Sequence, residues 1–242
     1  MIVCTGCAAL WPPPTEDSEA RRLISLVRNH NAQLDQYKAL ATVYLDTNGT
    51  TLSGRVAMAG VVPDRLRIEW LPSMGQPSVR LAGDGRQISV AVPGERRIRR
   101  MPQTSVSLEP LIHIPIGIEV LQSLTTGRPK LPEFVAAQII DQDDQQVVIA
   151  LKDRWHRLMA QITVDPERGR LARMENLDRD QRLVYTILWK DWKRSGPYDI
   201  PNDVELITPS GQRLELSTVR FWPDVDVPYS LFHLKQSVTG PD

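Results

Sequence analysis

The sequence predicts a mainly β fold: one strongly curved antiparallel sheet or barrel, with two helices over its mouth or concave side. Three observations carry that prediction. From residue 38 onward, apolar and polar residues alternate with period two over most of the chain, as they do in strands with one buried face. Short connections rich in Gly, Asn, Asp and Pro join these stretches, which makes successive strands antiparallel. Only two stretches, one after residue 18 and one near 115–127, switch to helical spacing. So many short-linked strands cannot lie flat, and two apolar-faced helices fit over the mouth or concave side of a curled sheet.

The chain opens with a candidate modification motif. Val3-Cys4-Thr5-Gly6-Cys7-Ala8-Ala9-Leu10 resembles the lipobox of bacterial lipoproteins, in which small residues precede a cysteine that is cleaved in front of and acylated. Cys7 is therefore the expected lipidation site. Six residues precede it, whereas a secretory apolar region takes about 7–15, so a start codon upstream of Met1 is expected. Processing at Cys7 would remove Cys4 and leave a mature chain without a free thiol, as in the periplasm; a small cytosolic protein with two thiols has the same counts. Trp11-Pro12-Pro13-Pro14 reads as a stiff, extended spacer. Residues 1–17 are thus expected to be lipobox and Pro-rich tether, and 18–242 a single domain.

Thr15-Glu16-Asp17-Ser18-Glu19 supplies capping and first-turn acids for a helix of about four turns. Ala20, Leu23, Ile24, Val27 and Leu34 line its apolar side, and Arg28 and His30 suit its C-terminal end. Strands are expected at 38–46, 51–60, 64–71, 78–83, 86–92, 95–100, 134–141, 146–152, 156–165, 170–177, 182–190, 203–208 and 212–221. Within them, 66–81 reads as a hairpin whose Leu66, Ile68 and Trp70 face the core. Its turn, Pro72-Ser73-Met74-Gly75, places Met74 at an exposed tip, where the side chain gains by contact with a greasy surface or is simply a surface methionine. Arg96-Arg97-Ile98-Arg99-Arg100 reads as a charged edge strand, with anionic headgroups as the functional alternative. The second helix has Pro115 near its start, Ile116, Val120, Leu121 and Leu124 on one side, and Gly127 with Pro129 at its end.

Composition and motifs narrow the function. The 29 basic and 29 acidic side chains cancel and are spread along the chain, so no nucleic-acid partner is indicated. No apolar run reaches the roughly 18 residues that would span a bilayer. Nucleophile elbow, glycine-rich phosphate loop and paired metal-spaced histidines are all missing, which predicts a protein that is not an enzyme and uses no cofactor or metal. His30, His113, His156 and His233 stand far apart, and Asp141-Gln142-Asp143-Asp144 lacks the glycine and distal glutamate of a calcium loop, so it reads as a turn. Trp70, Trp155 and Trp189 fit either a core or the lining of an apolar cavity. The inward sets of the central strands are the cavity candidates: Val56, Met58, Leu66, Ile68, Trp70, Val79 and Leu81, with Ile116, Val120 and Leu124 from the lid. A slip of one residue in register would exchange the whole face.

Over about residues 18–221 the chain resembles the LolA/LolB superfamily of bacterial lipoprotein carriers and receptors. The resemblance rests on the order of elements, on Arg65-Leu66-Arg67-Ile68 leading into Pro72-Ser73-Met74-Gly75, on Ile114-Pro115-Ile116 before a helix ending at Gly127-Arg128-Pro129, and on Pro201 shortly before the last hairpin. It implies a strongly curved antiparallel sheet forming a half-open β-barrel of about 11 strands with two or more lid helices, and a membrane-anchored lipoprotein whose hydrophobic cavity binds acyl chains of lipoproteins or lipids, in lipoprotein or lipid reception and transfer. It also implies a periplasm-facing place at the outer membrane, held by the lipid on Cys7, with Met74 as the membrane-insertion tip and a periplasmic carrier protein as the partner that hands cargo over. The alternative is a structural or complex-forming envelope lipoprotein of the same fold without a transported ligand.

Overall fold

Helix α1 (Ser18–Asn29) begins where the Asp17 carboxylate accepts the amides of Glu19 and Ala20 at 3.1 and 3.2 Å, and it buries Ala20, Leu23, Ile24 and Val27 as one stripe. The computed structural model describes residues 17–47, 49–71, 79–95 and 97–234. From α1 the chain enters β1 (Gln36–Thr47) and marches outward through β2 (Thr50–Val61), β3 (Arg65–Leu71), β4 (Arg80–Asp84), β5 (Gln87–Ala91) and β6 (Arg99–Pro102). Short helix α2 (Glu109–Ile112) and then α3 (Ile118–Thr126) carry it to the far side of the sheet. There it marches back through β7 (Ala136–Gln142), β8 (Val147–Lys152), β9 (Leu158–Val164), β10 (Leu171–Leu177), β11 (Leu183–Ser195), β12 (Tyr198–Ile207) and β13 (Arg213–Pro223).

The result is one open antiparallel sheet of 13 strands, in the order β6-β5-β4-β3-β2-β1-β13-β12-β11-β10-β9-β8-β7. The first and last strands pair at its centre, Tyr37 opposite Pro223 through Asp46 opposite Arg213, and β6 and β7 are its two edges. The central seam thus joins two wings, each a run of hairpins. Helix α3 touches β3 in one wing and β12 and β13 in the other, as a curled sheet requires. This arrangement is consistent with a half-open barrel.

Where the sequence and structure part, the reasons are local. The described residues form 13 strands, not about 11. Strands β11 and β12 run on to meet across Gly196 and Pro197, because Asp191, at φ 47°, and Pro201 interrupt the alternation that marks a strand in sequence. Leu34 lies past the end of α1 yet is fully buried before β1. Pro115 and Ile116 precede α3, whose N-cap is Gly117. Of the basic run, only Arg99 and Arg100 enter β6, which is indeed an edge; Arg99 pairs with Glu95, and Arg96 lies outside the described residues. Beyond Trp222 the tail packs Val227 and Phe232 on Ala59, on the opposite face of β2 from Met58.

Candidate functional site

Strand pairing sets the apolar side of the first wing. Val56 faces Trp70, Met58 faces Ile68, Gly60 faces Leu66, and Ile68 in turn faces Leu81, so these residues share one face with Ala39 and Ala41 of β1. Val56, Met58 and Leu66 are buried there, and Ile68, Trp70 and Leu81 are half-buried against the same core. From above, Ile116, Val120 and Leu124 are buried in that core too. Nine of the ten expected cavity residues therefore come together. Val79 does not: its carbonyl accepts the Trp70 amide at 2.9 Å, but its side chain, at the outer end of the row, is 42% exposed. Trp189 is buried, whereas Trp155 stands on the surface at 59% exposure, which removes it from any interior cavity.

The concave face is filled by α3. Every residue of this helix except Glu119 is buried, including Gln122, Ser123, Thr125 and Thr126. The three hydroxyls turn back onto their own helix: Ser123 to the Val120 carbonyl at 2.7 Å, Thr125 to Leu121 at 3.2 Å and Thr126 to Gln122 at 2.8 Å. Gln122 reaches the sheet instead, donating from Nε2 to the carbonyls of Val61 and Arg65 at 3.3 and 3.1 Å. Its Oε1 is buried without a hydrogen-bond partner among the described residues, as is the Tyr37 hydroxyl. Tyr37 lies across Gly60, where an added Cβ would clash with the ring, and burial pushes its phenol pKa well above the ordinary value. On the other wing the Trp189 indole donates to the Ser123 carbonyl at 3.4 Å. Gly127, at φ 67°, ends the helix against Trp192 and Pro201. Asn31 then ties the ends of α1 and α3 to β12, donating to the carbonyls of Thr126 and Asp199 at 2.9 and 2.6 Å.

Chemically this is a water-excluding surface. Among the described residues no group of acidic, histidine or cysteine side chains is placed to hold a metal, and no helix is long and apolar enough to cross a membrane. A cleft of about 310 Å³ opens at the start of α3, between Ile118, Val120, Gln103 and Lys130. Cys7 and Met74 lie outside the described residues, although β3 ends at Leu71 and β4 begins at Arg80 on either side of the latter. Sequence reading missed two features: the buried amide of Gln122, hidden inside an apolar helix pattern, and a cluster of arginines around Trp155. The basic and aromatic interleaving of Asp153-Arg154-Trp155-His156-Arg157 is the signal that would have found the second.

No family model and no curated protein matches the sequence. Solved structures do match in shape. A LolA superfamily protein from Nitrosomonas europaea superposes with a TM-score of 0.61 at 14% identity, covering 89% of this chain and 97% of that one. A DUF1329 family protein from Desulfovibrio piger gives 0.62 at 11% identity, over 89% and 94% of the two chains. A domain from Vibrio parahaemolyticus, named for outer membrane lipoprotein sorting, gives 0.60 at 13% identity, over 88% and 97%.

Proposed function

We propose that this chain, which has the LolA-type fold, is a lipid-anchored envelope protein that receives acyl chains of lipoproteins or lipids between its sheet and α3. One observation carries the reading: among the described residues the apolar face of an open 13-stranded sheet is covered by helices α1 and α3 and not by closure of the sheet. A hydrocarbon chain entering under that helix would bury about 0.8 kcal/mol per methylene. In this reading the role is carriage or reception, and the Ser123, Thr125 and Thr126 hydroxyls serve α3 by bonding to its own carbonyls. Handover would run downhill between binding sites of similar affinity, with a periplasmic carrier protein on the delivering side. Cys7 is the proposed anchor to the outer membrane, and Met74 the proposed contact of the β3–β4 connection with the acyl layer.

The second reading, a structural envelope lipoprotein without cargo, is favoured by the filled concave face, where Leu66, Ile116 and Leu124 are at most 1% exposed. Binding of a fluorescent fatty acid to delipidated protein separates the two. The first reading expects micromolar affinity or better and displacement by an acylated peptide; no binding leaves the structural reading.

A further inference from the structure

We infer that the turns β8–β9 and β10–β11 form a phosphate-headgroup site by which one end of the sheet rests on an anionic phospholipid membrane. The site is constructed. In the first turn the Asp153 carboxylate accepts the amides of Trp155 and Arg157 at 2.8 and 3.0 Å and binds the Arg157 guanidinium at 2.7 Å, while His156 takes a left-handed φ of 61°. Trp155 is thereby pushed outward, with the guanidinium carbons of Arg154 and Arg157 3.9 and 4.7 Å from the ring centroid. In the second turn Asp178 accepts the amides of Asp180 and Arg182, and the Gln181 side chain docks on β9, exchanging hydrogen bonds with both the amide and the carbonyl of Leu158 at 3.0 and 2.9 Å. That clamp orders the turn that carries Arg179.

Among the described residues Arg154, Trp155, Arg157 and Arg179 line a cleft of about 610 Å³. Asp153 occupies Arg157, but neither Arg154 nor Arg179 has a carboxylate partner among the described residues. A guanidinium stacked on an indole keeps its N–H edge free, in the geometry that takes up phosphate. A second cleft of about 760 Å³ shares Arg154, Trp155 and Arg179, adds Leu131, Phe134 and Val135, the last 60% exposed, and is lined also by Arg28 and by the carboxylates of Glu133 and Asp153. Anion-binding and apolar surface thus adjoin, which fits an amphiphile better than a free anion.

The surrounding end of the sheet decides for a membrane. Because every neighbouring pair is antiparallel, the turns β1–β2, β8–β9, β10–β11 and β12–β13 share one end, together with the end of β3, the start of β4 and the start of β7. Of the large apolar side chains that are exposed among the described residues, Leu52, Leu71, Val79, Val135, Trp155 and Leu183 lie at this end, and the other four are scattered elsewhere. A soluble phosphate ester would have no use for that rim, whereas the headgroup level of a bilayer takes tryptophan and arginine together with apolar tips. The inference stands without any cargo under α3.

Co-sedimentation of the 242-residue chain with phosphatidylglycerol and with phosphatidylcholine vesicles tests it. Binding to the anionic vesicles only is expected, weakening with added salt. Removing both free arginines, Arg154→Ala with Arg179→Ala, should weaken binding by about 10- to 30-fold, since each basic side chain near an anionic surface contributes about a factor of five. Trp155→Ala should weaken it as well, while the thermal midpoint and fatty-acid binding of these variants match wild type. Equal vesicle binding by the double variant and wild type overturns the inference. So does displacement from vesicles by millimolar inorganic phosphate, which marks a free-phosphate site, or tighter capture by an acidic peptide. Loss of fatty-acid binding bears on the cargo reading alone.

Discussion

Helices α1 and α3 pack on the same curled sheet but are built on opposite plans. Helix α1 has one buried stripe, Ala20, Leu23, Ile24 and Val27, and a solvent side where Glu19 and Arg22 pair. Its start is fixed twice by Asp17, which caps the helix and also accepts the Ile139 amide of β7 at 3.2 Å. Helix α3 is buried nearly all round, at the cost of enclosing Gln122, Ser123, Thr125 and Thr126. Hydroxyls that bond within their own turn do not hold a helix to its neighbours. The polar grip of α3 on the first wing comes from half of one amide, with Thr125 and the Met58 sulfur in longer contact at 3.9 Å. Area holds α1 in place; α3 is held by area with an unsatisfied polar atom beneath it, which lowers the cost of lifting it.

Matched deletions put the largest strain on this comparison. Leu23 in α1 and Leu124 in α3 are 0% and 1% exposed, and either Leu→Ala change should cost about 2–5 kcal/mol by denaturant unfolding. Fatty-acid binding should distinguish them. Leu23→Ala opens space away from the lid contacts and should leave the affinity of the folded fraction unchanged, whereas Leu124→Ala opens space between lid and sheet and should tighten it. Equal affinities in both variants would mean that the two helices play the same structural part.

These helices also show how far the sequence could be read. The stripe of α1 and its Asp17 cap were legible because period and capping chemistry are local. So was the inward parity of Val56, Met58, Leu66, Ile68 and Trp70, since a buried face fixes register. Gln122 was not: an amide inside Val120-Leu121-Gln122-Ser123-Leu124 shows its partners, the carbonyls of Val61 and Arg65, only once β2 and β3 are folded beneath it. The meeting of Arg154 and Arg179 was equally hidden, because it depends on two turns brought together by the pairing of β8 to β11. Trp155 was read as either core or cavity because its residue type favours burial, and a turn ordered by Asp153 overrides that tendency.

A smaller effect is expected at Gln122. Gln122→Leu removes the unpartnered Oε1 together with two hydrogen bonds of ordinary length, so the change in folding stability should stay within about 1.5 kcal/mol. The apolar replacement seals α3 onto the sheet, and fatty-acid affinity should fall severalfold at nearly constant stability. Unchanged affinity would show that α3 does not lift on that side, and the contrast between the helices would lose its functional meaning.

The smallest effect lies where the two helices meet. His30 caps α1, donating its amide to the Leu26 and Val27 carbonyls, and its ring meets Trp192 edge-on at 5.3 Å with Nε2 buried and unpartnered. Burial pulls its pKa below the ordinary histidine value, against the weaker opposing pull of the Asp199 backbone. Above about pH 6.5 the ring is neutral in both folded and unfolded chains, and its contribution is fully present. As pH falls, the unfolded chain takes up the proton first, so stability is lost until the lower folded pKa is passed. Asp84, Asp203 and Glu205, whose pKa values the fold also lowers, lose their contributions only in the more acidic carboxylate range. The thermal midpoint should therefore drop from about pH 7.5 to about pH 5.5 in wild type, and much less in His30→Phe, which keeps the ring and cannot titrate. Fatty-acid affinity measured over the same range decides what the neighbouring Asn31 clamp does. If α1 and α3 are mechanically separate, affinity stays flat while the midpoint moves; if affinity follows the midpoint in wild type and is flat in His30→Phe, acid at the end of α1 is felt by the lid through Thr126, and the two helices work as one.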